Sequence, residues 1–200
     1  MDTIVTKFGG SSVANAQGFV QVGDIVRADE RRRYVVVSAP GKADSKDHKI
    51  TDMLLMCYQL ASHRLGFEDV FSIIAARYRD IHRTLGLTLD LDAELNQIEA
   101  RIRAGASRDY CASRGEYLCA RLMAEYLDLP FVDSSDLIVF DPSGHMDEAA
   151  TYEAIRVGLN GHERAVIPGF YGADAQGNLI TFARGGSDIT GAVIARGVRA

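Results

Sequence analysis

The sequence is poor in features that mark whole classes of protein, and each shortage excludes something. Its three cysteines, Cys57, Cys111 and Cys119, are odd in number and lack C-x-x-C spacing. They build neither a disulfide framework nor a zinc site, and buried free thiols are expected. The five histidines are scattered, with no H-x-x-x-H pair on one helix face, so no metal ligand set is expected and they are read as surface or loop residues. No apolar run approaches the roughly 18 residues that a membrane span needs. Asp2 and Lys7 stand where a signal peptide would carry its apolar core, so a cytoplasmic protein without a membrane partner is expected. Positive charge is also short: 22 Lys and Arg against 27 Asp and Glu leave a net charge of -5, which argues against nucleic acid as a partner. Arg31-Arg32-Arg33 is the only basic run and reads as a solvated helix end. No G-x-x-x-x-G-K-[ST] string occurs, because Gly41-Lys42 is followed by Ala43, and a P-loop is excluded.

What is present begins at the N-terminus. A chain of 200 residues that is 47% hydrophobic can bury a core as one domain. Ile4-Val5-Thr6-Lys7-Phe8-Gly9-Gly10-Ser11-Ser12 is a short β-branched run ending in a cation, two glycines and two hydroxyls. The order suits a phosphate-binding turn: Gly9 and Gly10 let the backbone approach an anion, a helix from near Ser12 would offer free N–H groups, and Lys7 adds charge. The same residues also satisfy a plain strand-to-helix turn. Ala16, Phe19, Val20, Gly23 and Val26 then recur at helical spacing, which carries a first helix to about Glu30. Tyr34-Val35-Val36-Val37-Ser38 reads as a strand covered on both faces. Strand, helix and strand predict a parallel βαβ unit in an α/β fold, with the ligand site at the carboxyl ends of the strands, where Lys7 and Ser38-Ala39-Pro40-Gly41-Lys42 fall.

After a charged loop, Ile50-Thr51-Asp52-Met53-Leu54-Leu55 opens a helix for which Thr51 can serve as the cap. The pattern stays helical to about Ala104, with breaks at Gly66 and Leu85-Gly86, and Leu91, Leu95, Ile98 and Ile102 make one apolar face. Ser113-Arg114-Gly115-Glu116 fits a capping box, in which Glu116 is a reciprocal cap and nothing more. Short strands are predicted at 131–133 and 137–140, a helix from Asp147 to Asn160, and a further strand at Ala165-Val166-Ile167. Ile167-Pro168-Gly169-Phe170-Tyr171-Gly172 is a loop at that strand's end, Gly177-Asn178 turns the chain into Leu179-Ile180-Thr181-Phe182, and Ala183-Arg184-Gly185-Gly186-Ser187-Asp188-Ile189-Thr190-Gly191 leads into a closing helix. Either Ser187 or Asp188 can cap that helix, and Arg184 can pair with a surface acid.

Five strings in this order, KFGGSSVA, VVVSAPGK with the following ITDMLL, SRGEYLCARLMA, IPGFYG and ARGGSDITG, resemble the aspartokinases of the amino-acid kinase superfamily. The resemblance covers essentially the whole chain. It implies a mainly parallel sheet sandwiched between helices, with residues 1–200 as the N-terminal, substrate-side part of a kinase domain and a helical segment at about 51–128. It also implies that the fold is cut short on its C-terminal side, with the nucleotide-binding remainder and regulatory domains absent, and that the chain alone is incomplete for activity. The implied reaction is ATP-dependent phosphorylation of the β-carboxylate of L-aspartate, with Mg²⁺ on the nucleotide, the first step toward lysine, threonine and methionine.

Residue by residue, the resemblance puts Lys7 with Gly9, Gly10 and Ser11 at the phosphates and has Asp188 orient Lys7. Ser38, Thr51, Phe170 and Ser187 line the aspartate pocket. Glu116 receives the substrate's α-amino group, and Arg184 receives its α-carboxylate through a planar fork. Ala183 and Ile189 depart from the commonest family string. A non-catalytic ligand-sensing or assembly module of the same fold, and a kinase for another amino-acid carboxylate, are the alternative readings. A homo-oligomer is compatible with the sequence but cannot be read from it.

Overall fold

Val35, Val36 and Val37 are wholly buried, and burial of each such side chain contributes about 1.5–3 kcal/mol. They form the centre of a computed structural model that describes residues 2–42, 47–183 and 185–200. In chain order, strand β1 (Ile4–Phe8) leads through a 3-10 turn (Gly10–Val13) to helix α1 (Ala16–Arg27) and strand β2 (Arg32–Val37). Four helices follow: α2 (Ile50–Ser62), α3 (Glu68–Leu85), α4 (Leu91–Arg103) and α5 (Arg108–Leu127). Next come a 3-10 turn (Ser134–Asp136), strand β3 (Val139–Phe140), helix α6 (Glu148–Gly158), strands β4 (Ala165–Pro168), β5 (Tyr171–Asp174) and β6 (Leu179–Thr181), and helix α7 (Gly186–Gly197).

β1, β2 and β4 form one parallel sheet in that order, with Lys7 beside Val36 and Val37 beside Pro168. The strand period of two divides β2 between two cores. Val35 and Val37 join a cluster with α1 to α5, whereas Tyr34 and Val36 join one with α6, α7 and Ile138. The expected parallel sheet between helices is therefore present. A second small sheet, β3-β5-β6, stands beside it, with β3 and β5 parallel and β5 and β6 antiparallel. Tyr171 and Gly172, read as part of a loop, thus belong to strand β5.

Several helix starts differ from expectation. α1 begins at Ala16 rather than near Ser12, because the Asn15 side chain accepts the Gly18 N–H at 3.0 Å and caps it there. It ends at Arg27, and Arg31 is no helix end: it pairs with Asp29 while Arg32 and Arg33 already belong to β2. Ser113 and Glu116 form no capping box. The cap of α5 is Ser107, six positions before Ser113, and its hydroxyl accepts the Tyr110 N–H at 3.1 Å. Ser113 lies in the helix interior and donates to the Tyr110 carbonyl at 2.8 Å. The cap position of α2 is Lys49 and that of α7 is Gly185, so Thr51, Ser187 and Asp188 are first-turn residues, not caps.

The three cysteines are buried and free, as expected. Among the described residues no helix is long and apolar enough to cross a membrane.

Candidate active site

The carboxyl ends of β1, β2 and β4 open into a cleft of about 650 Å³ that joins a second lobe of about 430 Å³; Ser38, Lys49, Thr51 and Glu116 border both. Lys7, Phe170, Ser187 and Asp188 line the first lobe, and Gly10 and Ser11 the second. Residues from both ends and the middle of the chain therefore meet at one place. Gly9 adjoins Lys7, whose Nζ would lie 3.6 Å from a Cβ added there. Arg184 lies outside the described residues.

The glycine turn is shaped by contact with a second loop. Gly41 N–H donates to Gly10 O at 2.8 Å, and a Cβ on Gly10 would come within 2.8 Å of Ala39 O and 3.0 Å of Gly41 N. Backbone thus packs directly on backbone at the ends of two adjacent strands. Arg77 of α3 secures the second loop by donating to Gly41 O at 3.1 Å and pairing with Asp47.

The helix start that meets the cleft belongs to α7, not α1. Gly185 takes a left-handed conformation (φ 73°), and Gly185, Gly186, Ser187 and Asp188 all border the cavity. The positive end of a 12-residue helix therefore faces it. Lys7 Nζ lies 2.8 Å from Asp188 Oδ1.

Glu116 supplies the opposite character. It is 5% exposed, and burial pushes its carboxyl up to about 7, against the opposing influence of the Ala39 N–H that donates to it. Its Oε2 is buried without a hydrogen-bond partner. Such an oxygen is costly unless something arrives to pair with it. Gly115 allows the approach, since a Cβ there would stand 2.7 Å from that of Ala39, and the Tyr78 hydroxyl donates to Gly115 O at 2.7 Å. Behind it, the buried Arg114 guanidinium lies 4.8, 4.6 and 5.2 Å from the ring centres of Tyr110, Tyr117 and Tyr171 and locks α5 against β5.

Phe170 borders the cleft with φ 83°, an outlying conformation for a bulky side chain. The sequence reading missed Lys49 and Arg108, which line the cleft as further cations, and Asp52 and Phe182. Lys49 had a usable signal as the last charged residue before a helix. Arg108 could be found only once the start of α5 was known. A separate cavity of about 780 Å³ between the start of α5 and the β5–β6 turn shares Arg108, but none of the buried unpartnered side-chain atoms lines it.

The amino acid kinase family model matches residues 2–200. Aspartokinase 3 of Bacillus subtilis (strain 168) is 30% identical over 210 residues, covering 98% of this chain and 46% of its own length. Among solved structures, the aspartate kinase of Clostridium acetobutylicum superposes with a TM-score of 0.97 at 44% identity, covering 100% of this chain and 46% of that one. The E. coli aspartokinase III in complex with aspartate and ADP superposes with a TM-score of 0.85 at 26% identity, covering 100% of this chain and 47% of that one. The chain thus spans about half the length of these relatives. A parallel sheet whose strand ends carry the Lys7, Glu116 and Asp188 cleft, together with these matches, shows that the chain belongs to the amino acid kinase family, in which it corresponds to the N-terminal part of the aspartokinases.

Proposed function

We propose that residues 1–200 form the substrate-side part of a kinase domain that phosphorylates the β-carboxylate of L-aspartate with ATP, giving 4-phospho-L-aspartate and ADP. The observation that carries this reading is the buried, unpartnered Oε2 of Glu116 in the same cleft as Lys7 and the start of α7. One end of the cleft suits an ammonium group and the other suits phosphoryl oxygens, so an amino acid with a reactive carboxylate can lie between them.

In this reading Glu116 accepts hydrogen bonds from the α-ammonium group. Ser38, Thr51 and Ser187 contact the polar substrate, and the Phe170 ring borders its carbon chain. The α-carboxylate is assigned to Arg184 by resemblance alone. A substrate carboxylate oxygen forms a bond to the γ-phosphorus as the bond from that phosphorus to the β,γ-bridging oxygen breaks, and the pair of electrons leaves with ADP. The protein's part is positioning and charge neutralisation, not covalent chemistry. Lys7, with the backbone of Gly9, Gly10 and Ser11, faces the transferred group, and Asp188 holds Lys7 in place.

Mg²⁺ neutralises phosphate charge when it accompanies the nucleotide. Among the described residues no group of three or more His, Cys, Asp or Glu side chains could hold a metal ion. The fit of E. coli aspartokinase III, solved with aspartate and ADP, supports the substrate pair. A cytoplasmic place at the head of lysine and threonine biosynthesis follows from the same assignment.

Calorimetric titration of the chain with L-aspartate and with N-acetyl-L-aspartate tests the reading. Binding of the first and not the second is expected, because acetylation removes the ammonium group. Equal binding of both would overturn the role of Glu116, and binding of neither would favour a non-catalytic module of the same fold.

A further inference from the structure

Phe170 follows β4 and precedes β5, and its φ of 83° places a bulky aromatic residue where glycine is normally required. Such a backbone persists only if its surroundings over-determine it. Two hydrogen bonds do so. The Phe170 N–H donates to Thr190 Oγ1 at 3.0 Å, and the Phe170 carbonyl accepts from the Phe182 N–H at 2.8 Å. The first bond is accepted by a side chain, and it reaches across 20 positions of sequence.

Thr190 is fully buried on α7, and its hydroxyl is committed at both ends: it accepts from Phe170 and donates to Gly186 O at 3.0 Å. Donation to a carbonyl four residues back fixes the rotor, so the oxygen's lone pair faces the Phe170 amide. Gly186 completes the arrangement, since a Cβ there would lie 2.6 Å from Phe170 Cδ2. The Phe170 ring therefore rests on the first turn of α7 at Gly186, and it lines the cleft together with Ser187 and Asp188.

We propose that Thr190 is a positioning residue for the substrate cleft: its hydroxyl holds Phe170 in the left-handed conformation and so sets the aromatic wall of the cleft against the start of α7. This rests on the reading of the cleft as an aspartate site. It adds a residue that lines neither lobe and acts through another. Valine has the same shape but no acceptor, so Thr190→Val takes the partner from the half-buried Phe170 N–H, whereas Thr190→Ser keeps the hydroxyl.

The experiment measures hydrogen exchange at the Phe170 amide and the affinity for L-aspartate by calorimetry in the wild-type chain, T190V and T190S. T190V is expected to lose Phe170 amide protection selectively, with other α7 amides still protected, and to bind L-aspartate about tenfold or more weakly. T190S is expected to match the wild type in both. Phe170 protection unchanged in folded T190V, or unchanged aspartate affinity, would overturn the proposal. If T190V does not fold, Thr190→Ala replaces it, with the same losses expected and the same contrary results. If the wild-type chain binds no aspartate, the functional reading fails, while the exchange measurement still decides whether Thr190 holds Phe170.

Discussion

Lys7 Nζ and Asp188 Oδ1 stand 2.8 Å apart, so the first strand and the last helix meet in an ion pair at the mouth of the cleft. Asp188 is 72% exposed on its side chain, and exposed pairs of this kind contribute about 0–1 kcal/mol to stability. The pair is too weak to explain the fold and well placed to aim a cation. Lys7→Met is therefore expected to leave the melting temperature nearly unchanged. In an assay of the proposed aspartate phosphorylation, it should lower kcat by the equivalent of about 2.7–4 kcal/mol. Near-normal kcat would remove Lys7 from the chemistry.

Glu116 predicts how stability depends on pH. Its ordinary value of 4.5 rises to about 7 in the folded chain through burial. Below 4.5 both folded and unfolded states hold the proton. Between 4.5 and 7 the folded state alone keeps it, so this residue's contribution to stability falls as pH rises and levels off above about 7. Glu116→Gln should remove that slope and leave the variant more stable at pH 8 by up to about 3 kcal/mol. Denaturant titrations at pH 4 and pH 8 measure it, and an unchanged slope would show that Glu116 is not titrating in this window.

The same carboxyl predicts proton release on ligand binding. An arriving ammonium favours the ionised form, so aspartate should expel about half a proton at pH 7 and almost none at pH 9. Calorimetry in buffers of different ionisation enthalpy reads this directly. Glu116→Gln should abolish both the release and most of the affinity.

Gly10 and Gly41 predict a steric effect. Gly10→Ala places its Cβ against the backbone atoms Ala39 O and Gly41 N, which have no flexible side-chain end to move aside. A loss of about 1–3 kcal/mol is expected in chemical denaturation, with a similar loss for Gly41→Ala. The double variant should lose less than the sum, because each change opens the same contact.

Much of this arrangement was legible in the sequence because it rests on local period. The Val35-Val36-Val37 run announced a covered strand, and the stripe Leu91, Leu95, Ile98, Ile102 announced α4; all of these side chains are buried. The start of α5 was misread because Ser113 and Glu116 have capping-box spacing, although the local stop at Gly105, with φ 89°, pointed to a new start at Ser107. The chain's first helix start was misplaced for a similar reason: the glycine turn looked like a helix entry, and Asn15 holds the cap instead. The Phe170 conformation and its bond to Thr190 had no local sign, since the constraint is a contact between the turn joining β4 to β5 and α7. Nor could composition reveal that Glu116 keeps one oxygen unpaired, because that depends on what fails to reach it.

The most direct measurement is a crystal structure of the chain with L-aspartate in the cleft. The account predicts the α-ammonium nitrogen about 3 Å from Glu116 Oε2 and the β-carboxylate turned toward Lys7. Aspartate bound elsewhere, or bound here with its ammonium group away from Glu116, would contradict it.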